Sequence, residues 1–141
     1  MASTEESKAV VLRWDEIWHH GTIEEMEGLF TSDFVDHAPS GEATTGLEYF
    51  QALWHLLKAA FPDLTFAYKH IIAEGEYVVT HWLASGTHQG EFLGYPATRR
   101  RVCWHGNSIF RVVQGRITAR WLYHDSEGLI HQLRGDIIVM L

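Results

Sequence analysis

The chain has one cysteine, Cys103, among its 141 residues. A lone thiol excludes a disulfide within the chain and fits a reducing compartment. No CxxC, HxH or HExxH spacing marks a metal site. Basic residues are also few: 11 Lys and Arg against 18 Asp and Glu, a net charge of −7 with His neutral. Their one cluster, Arg99-Arg100-Arg101, is short and lies beside a turn. Nucleic acid needs a positive face, so it is not an expected partner. No apolar run approaches the ~20 residues of a membrane helix. Met1 to Lys8 is polar and carries two Glu, unlike a secretory leader. These absences describe a cytoplasmic protein with no membrane contact. Its length fits a single domain over 1–141.

Aromatic residues, by contrast, are abundant: six Trp, five Tyr and seven Phe. Rings of this size fill a core and also line pockets for apolar ligands. Ser3 with Glu6, and Thr22 with Glu25, read as capping boxes opening two helices. Val10, Trp14, Ile17 and Trp18 mark the buried face of the first helix. Ile23, Met26, Leu29 and Phe30 continue the second. Asp33 to His37 is a short extended piece ending in the turn Pro39-Ser40-Gly41. A third helix is predicted from about Gly46 to Ala60, stopped by Pro62.

Beyond Pro62 the apolar period becomes two. Strands are predicted over Leu64–Ala73, Tyr77–His88, Arg101–Val113 and Arg116–His124. The turns are Glu74-Gly75-Glu76 and Gln114-Gly115, with a long loop from Gly90 to Arg100. Asp125 caps a closing helix, and the tail from Asp136 to Leu141 is very apolar for a terminus. Helices followed by long antiparallel strands make an α+β fold. The last two strands are apolar on both faces, so helices are expected on one side of the sheet and a second copy of the chain on the other: a homodimer through the sheet.

The ordered set of short motifs resembles the SnoaL-like polyketide cyclase (ester cyclase-like) family, in the NTF2-like superfamily. It runs through Asp33-Phe34-Val35-Asp36-His37, Phe61-Pro62-Asp63-Leu64, Gly86 to Gly94 and Pro96-Ala97-Thr98. It continues with Ile109-Phe110-Arg111, Gly115-Arg116-Ile117, Trp121 with Asp125, Gly128-Leu129 and Gln132-Leu133. The resemblance implies a cone: three N-terminal helices packed on a curved, mainly antiparallel sheet of four to six strands, enclosing a pocket. It also implies a cofactor-independent cyclase or isomerase acting on polyketide or terpenoid intermediates of secondary metabolism. The wider superfamily adds epoxide hydrolases, dehydratases and members that only bind or dimerise. Two positions depart from the family pattern. Where aldol-type members carry an acid/base Asp and a His, this chain has Leu122 and Ser108. Leu122 carries no proton, so that mechanism does not transfer.

Other proton carriers are therefore needed, and the chain offers ten His. Asp36, His37, His81 and His124 are the catalytic candidates. Asp36 and His37 are neighbours in an extended segment, so only one of them can face the pocket. Asp36 could instead cap a turn, and His37 or His81 could pack structurally. His105 is expected on the dimer face or near a sheet bend, and His88 at a rim or turn. His19, His20, His55 and His131 are on helices and expected at the surface. His124 shares parity with Leu122, which the resemblance places in the pocket, whereas hydrophobic patterning would bury Trp121 and Tyr123 instead. The substrate-binding candidates are Trp14, Trp18, Phe34, Phe50, Trp54, Trp82, Trp104 and Phe110, with Ser108 and Leu122 added by the resemblance. No cofactor or metal is expected.

Overall fold

A computed structural model describes residues 3–136 of the chain. The elements in order are α1 (Thr4–His20), α2 (Ile23–Glu27), β1 (Phe30–His37), β2 (Ala43–Thr45), α3 (Glu48–Ala60), β3 (Thr65–Glu74), β4 (Tyr77–Thr87), β5 (Arg101–Val113), β6 (Arg116–His124) and α4 (Ser126–Arg134). The apolar tail singled out above lies, past Asp136, outside the described residues. Among the described residues, no helix is long and apolar enough to cross a membrane.

Local chemistry accounts for most boundaries. Both capping boxes are present: Ser3 Oγ accepts from Glu6 N at 3.1 Å, and Thr22 Oγ1 from Glu25 N at 3.2 Å. Each satisfies amide groups that a helix start otherwise leaves unpaired. Helix α2 is shorter than its apolar spacing suggested. It stops at Glu27, and Phe30 opens β1 opposite Ile117. Helix α3 ends at Ala60, just before Pro62, which has no N–H to continue it. Gln114 and Gly115 both take positive φ, 50° and 77°, the primed geometry that matches strand twist in a two-residue hairpin.

The six strands form one sheet in the order β2-β1-β6-β5-β4-β3. Only the β1–β6 pairing is parallel. Helix α1 packs on β3, β4 and β5, and α4 packs on β5. The inner face of the sheet buries Val78, Trp82, Ala84, Val102, Trp104, Phe110, Val112 and Ile117 against these helices.

Two irregularities reset the parity of the strands. In β6, Arg111 pairs with Ala119 but Val112 pairs with Ile117, so Thr118 is an extra residue. Ile117 faces inward before this bulge; Arg120 and Leu122 are buried after it, while Tyr123 is exposed. The patterning that put Ile117, Trp121 and Tyr123 on one face therefore fails at the bulge. In β3 the register shifts between Tyr68 and His70. Phe66, Tyr68, Ile71 and Ala73 all pack on the core, and His70 is exposed.

The outer face carries its own stack. His37 lies flat on Trp121 at a ring separation of 4.6 Å. The Nδ1 atoms of His70 and His81 are 3.1 Å apart, and the His81 ring stacks on His105 at 5.7 Å. The row Ile72, Val79, Ile109 and Trp121 crosses four paired strands on this face. Ile72 is 62% and Val79 37% exposed.

Candidate active site

Between the inner face of the sheet and the helices lies an apolar cavity lined largely by aromatic side chains. Helix α1 contributes Trp14 and Trp18; α3 contributes Phe50, Leu53, Trp54 and Leu57. The rings interlock edge to face: Trp18 with Trp54 at 4.7 Å, and Phe66 with Trp82 at 5.2 Å.

The sheet supplies the polar groups in ordered rows. One row is Val78, Phe110, Arg120 and Asp36; the next is Thr80, Ser108 and Leu122; the third is Trp82, Gly106 and His124. Gly106 is required in its row. A methyl group there would overlap the indole of Trp82 and come within 2.7 Å of the Tyr123 carbonyl oxygen. The missing side chain lets Trp82 lie across the strand, with its Nε1 donating to Ser108 Oγ at 3.1 Å.

The expected wall residues Trp14, Trp18, Phe50, Trp54, Trp82, Trp104, Ser108, Phe110 and Leu122 all line the cavity. Phe34 does not. It is fully buried behind Phe30, ring to ring at 4.6 Å, in the core between β1 and α3. The structure also separates the four candidate proton carriers. His37 and His81 point to the outer face, because each sits one residue out of step with the inward-facing positions of its strand. They have no access to the cavity, and that expectation is corrected.

Asp36 does face inward, but it is locked. Arg120 Nε donates to Asp36 Oδ1 at 3.0 Å and Nη2 to Oδ2 at 2.8 Å, a bidentate pair with 4% and 0% side-chain exposure. Both carboxylate oxygens face a guanidinium, so Asp36 acts as a fixed counter-charge. It is neither the turn cap nor the free acid considered above.

His124 remains. The residue lines both the cavity and an outer groove formed with His105, Asn107, Tyr123 and Asp125. Nδ1 is buried and has no hydrogen-bond partner among the described residues. Burial lowers its pKa below the usual histidine value, opposed in part by the Asp125 charge, so the ring is neutral at pH 7.

Three wall features were not foreseen. Arg120 places a buried cation at the end of the cavity, and Tyr68 and Thr80 add hydroxyls. Burial, and then the Asp15 charge, raise the Tyr68 phenol far above its ordinary range, so it stays protonated. Arg120 was readable from its shared parity with Leu122 and His124. Its partner, 84 residues away in the chain, was not.

Two other histidines have structural roles. His19 is half-buried rather than free at the surface: Phe66 N donates to its Nε2 at 3.1 Å, closing a gap on the outer edge of β3. His88 is fully buried and accepts from Thr98 N at 3.1 Å, tying down the long loop before β5. Asp125 caps α4, accepting from Gly128 N at 2.9 Å. Among the described residues, no three His, Cys, Asp or Glu side chains are grouped to hold a metal ion.

Residues 8–133 match the family model described as SnoaL-like polyketide cyclase. The chain belongs to the SnoaL-like polyketide cyclase family. Its architecture is the NTF2-like cone, with a curved, open six-stranded sheet. The structure is similar to AclR, a candidate hydroxylase from Streptomyces galilaeus: TM-score 0.88 and 28% identity, over 98% of this chain and 87% of that one. It is similar to IdmH, a candidate polyketide cyclase from Streptomyces antibioticus: TM-score 0.81 and 28% identity, over 91% and 98% of the two chains. A SnoaL-like protein from Jannaschia sp. shares the fold at 20% identity, with a TM-score of 0.86 over 97% and 98% of the chains. No curated protein has a significantly similar sequence. Family and fold together support a cyclase- or isomerase-type enzyme.

Proposed function

We propose that this SnoaL-like chain is a single-domain, cofactor-independent cyclase or isomerase in which His124 moves the proton. Its substrate is a hydrophobic, oxygenated polyketide or terpenoid intermediate. The observation that carries this reading is that His124, a neutral imidazole, lines the aromatic cavity, whereas His37 and His81 face outward and Asp36 is paired with Arg120. A neutral His can take a proton from carbon beside a carbonyl and return it elsewhere. The dry walls hold the substrate folded and shield an enolate from water.

The site of attack differs from that of the aldol-type relatives. Ser108 and Leu122, which hold the places of their acid/base pair, are direct cross-strand neighbours. His124 is two residues further along the same face, about 7 Å away. The reacting carbon is therefore displaced toward the α4 end of the cavity.

Hydrolysis is disfavoured by the same geometry. Asp36 is the carboxylate that would position water, and Arg120 occupies both its oxygens. The test is incubation with enolisable polyketide and terpenoid ketones, followed by mass spectrometry. A product isomeric with its substrate, or formed by internal condensation, and lost in His124→Gln, is expected. Incorporation of oxygen from labelled water would establish a hydrolase instead. Tight binding without turnover would establish a binding module.

The apolar row on the outer face supports a homodimer through the sheet. Val79→Glu would place a charge at its centre and should yield monomers in analytical ultracentrifugation. An unchanged mass would refute this contact. The exposed thiol of Cys103 suits a reducing, cytoplasmic setting.

A further inference from the structure

Arg120 has more hydrogen-bonding capacity than Asp36 uses. A guanidinium carries five N–H donors in a fixed plane. Nε and Nη2 turn one edge to the carboxylate, at 3.0 and 2.8 Å. Nη1, at the opposite corner, makes no hydrogen bond among the described residues. The sealed, unpartnered polar atoms include Trp14 Nε1, His88 Nε2 and His124 Nδ1, but no atom of Arg120. Arg120 is also part of the cavity lining, and its guanidinium lies 5.3 Å from the Phe50 ring. Nη1 is thus the donor of this cavity-lining residue that Asp36 leaves free.

The pair is electrically balanced, because Asp36 offsets the charge of Arg120. Such a donor is suited to a polarised or ionised oxygen attached to an apolar body. Arg120 and His124 are four residues apart on the same face of β6 with Leu122 between them, about 13 Å from Cα to Cα in an extended strand. The intervening wall is mostly aromatic. Arg120 and the His124 imidazole thus stand well apart along an apolar wall.

We propose that Arg120 Nη1 binds an acceptor oxygen of the substrate, a ketone or a phenolate, at the end of the cavity opposite His124. This rests on the reading of His124 as the proton carrier and goes further. The substrate is a fused or extended body oxygenated at both ends, one end presented to His124 and the other anchored by Arg120. Arg120 is then a binding residue that fixes which way round the molecule enters. An apolar group at the Arg120 end would leave Nη1 without an acceptor.

The experiment uses 6-cyano-2-naphthol, whose neutral and ionised forms absorb differently, and its methyl ether as a non-ionisable control. The variant is Asp36→Leu/Arg120→Met, which removes the pair together and avoids stranding one charge. In the wild type the bound naphthol should ionise at a lower pH than in water. Its preference for the ionised form should exceed that in the double variant by about tenfold or more, the effect of one charge-assisted hydrogen bond. The ether should bind both proteins alike. His124→Gln should keep the shift, so the result is independent of the proton carrier; loss of turnover in that variant tests the proton-transfer reading separately.

An ionisation pH in the wild-type complex equal to or above that in water overturns the proposal. So does a shift that survives in the double variant, a shift that vanishes in His124→Gln, or failure of both probes to bind the wild type. If the double variant does not fold, Arg120→Lys, which keeps a cation for Asp36 and removes Nη1, takes its place: a shift as large as in the wild type overturns the proposal.

Discussion

Replacing Asp36 with Ala leaves the Arg120 guanidinium in place and removes both its acceptors. The side chains are 0% and 4% exposed, so water cannot fully replace the lost carboxylate. Stranding one partner of such a buried pair costs about 3–5 kcal/mol. For a chain of 141 residues the unfolding entropy near 60 °C is about 0.3 kcal/mol per kelvin. Tm should therefore fall by roughly 10–17 °C, read by calorimetry or by circular dichroism during heating. Arg120→Met alone strands Asp36 and should cost a similar amount. The double variant Asp36→Leu/Arg120→Met exchanges the pair for apolar volume and should lie within about 2 kcal/mol of the wild type. The two single losses would then be strongly non-additive, which a double-mutant cycle measures directly. A cost below about 1 kcal/mol for Asp36→Ala would mean that the pair is hydrated rather than buried.

Two further predictions concern the chemistry and the wall. Burial holds the His124 pKa below its unfolded value of 6.5, so the native state binds this proton less readily than the unfolded chain. The general-base rate should be flat through neutrality and fall only below pH 6.5. Stability should also be lost as pH drops from 6.5 toward the lower native value, and His124→Gln should remove that part of the acid sensitivity. An acid limb centred above pH 6.5 would contradict the assignment. Gly106→Ala should push the Trp82 indole off its strand, costing about 1–3 kcal/mol and shifting tryptophan emission. Wild-type stability and spectrum in that variant would show that the indole does not need the gap.

Much of this fold was legible because its signals are local. The bounds of β5 and β6, both capping boxes, the Gln114-Gly115 turn and the Asp125 cap follow from period and side-chain chemistry within a few residues. Strand β2 was not foreseen: Ala43-Thr44-Thr45 is three residues at the sheet edge with no apolar alternation. Phe30 continued the helical spacing and was read as helix; its pairing with Ile117, 87 residues later, decides otherwise.

The aromatic walls were readable from residue type, since large rings on inward positions have few other places to go. Which of the candidate proton carriers face the cavity was not, because that depends on side-chain direction. A bulge at one residue turns Arg120, Leu122 and His124 inward and Tyr123 outward, and a composition-based reading cannot see it. His37 and His81 have the right chemistry on the wrong side of their strands. Asp36 has the right side but a partner 84 residues away that ties up both oxygens.

The most direct test is hydrogen exchange at carbon. A ketone that binds the cavity is incubated in deuterium oxide, and proton NMR follows loss of the signal beside its carbonyl. Wild-type protein should accelerate that loss with no added cofactor, and His124→Gln should bind the ketone equally well while losing the acceleration by about 10²-fold or more. Full acceleration in His124→Gln, or none in the wild type with the ketone bound, would contradict proton transfer by this residue.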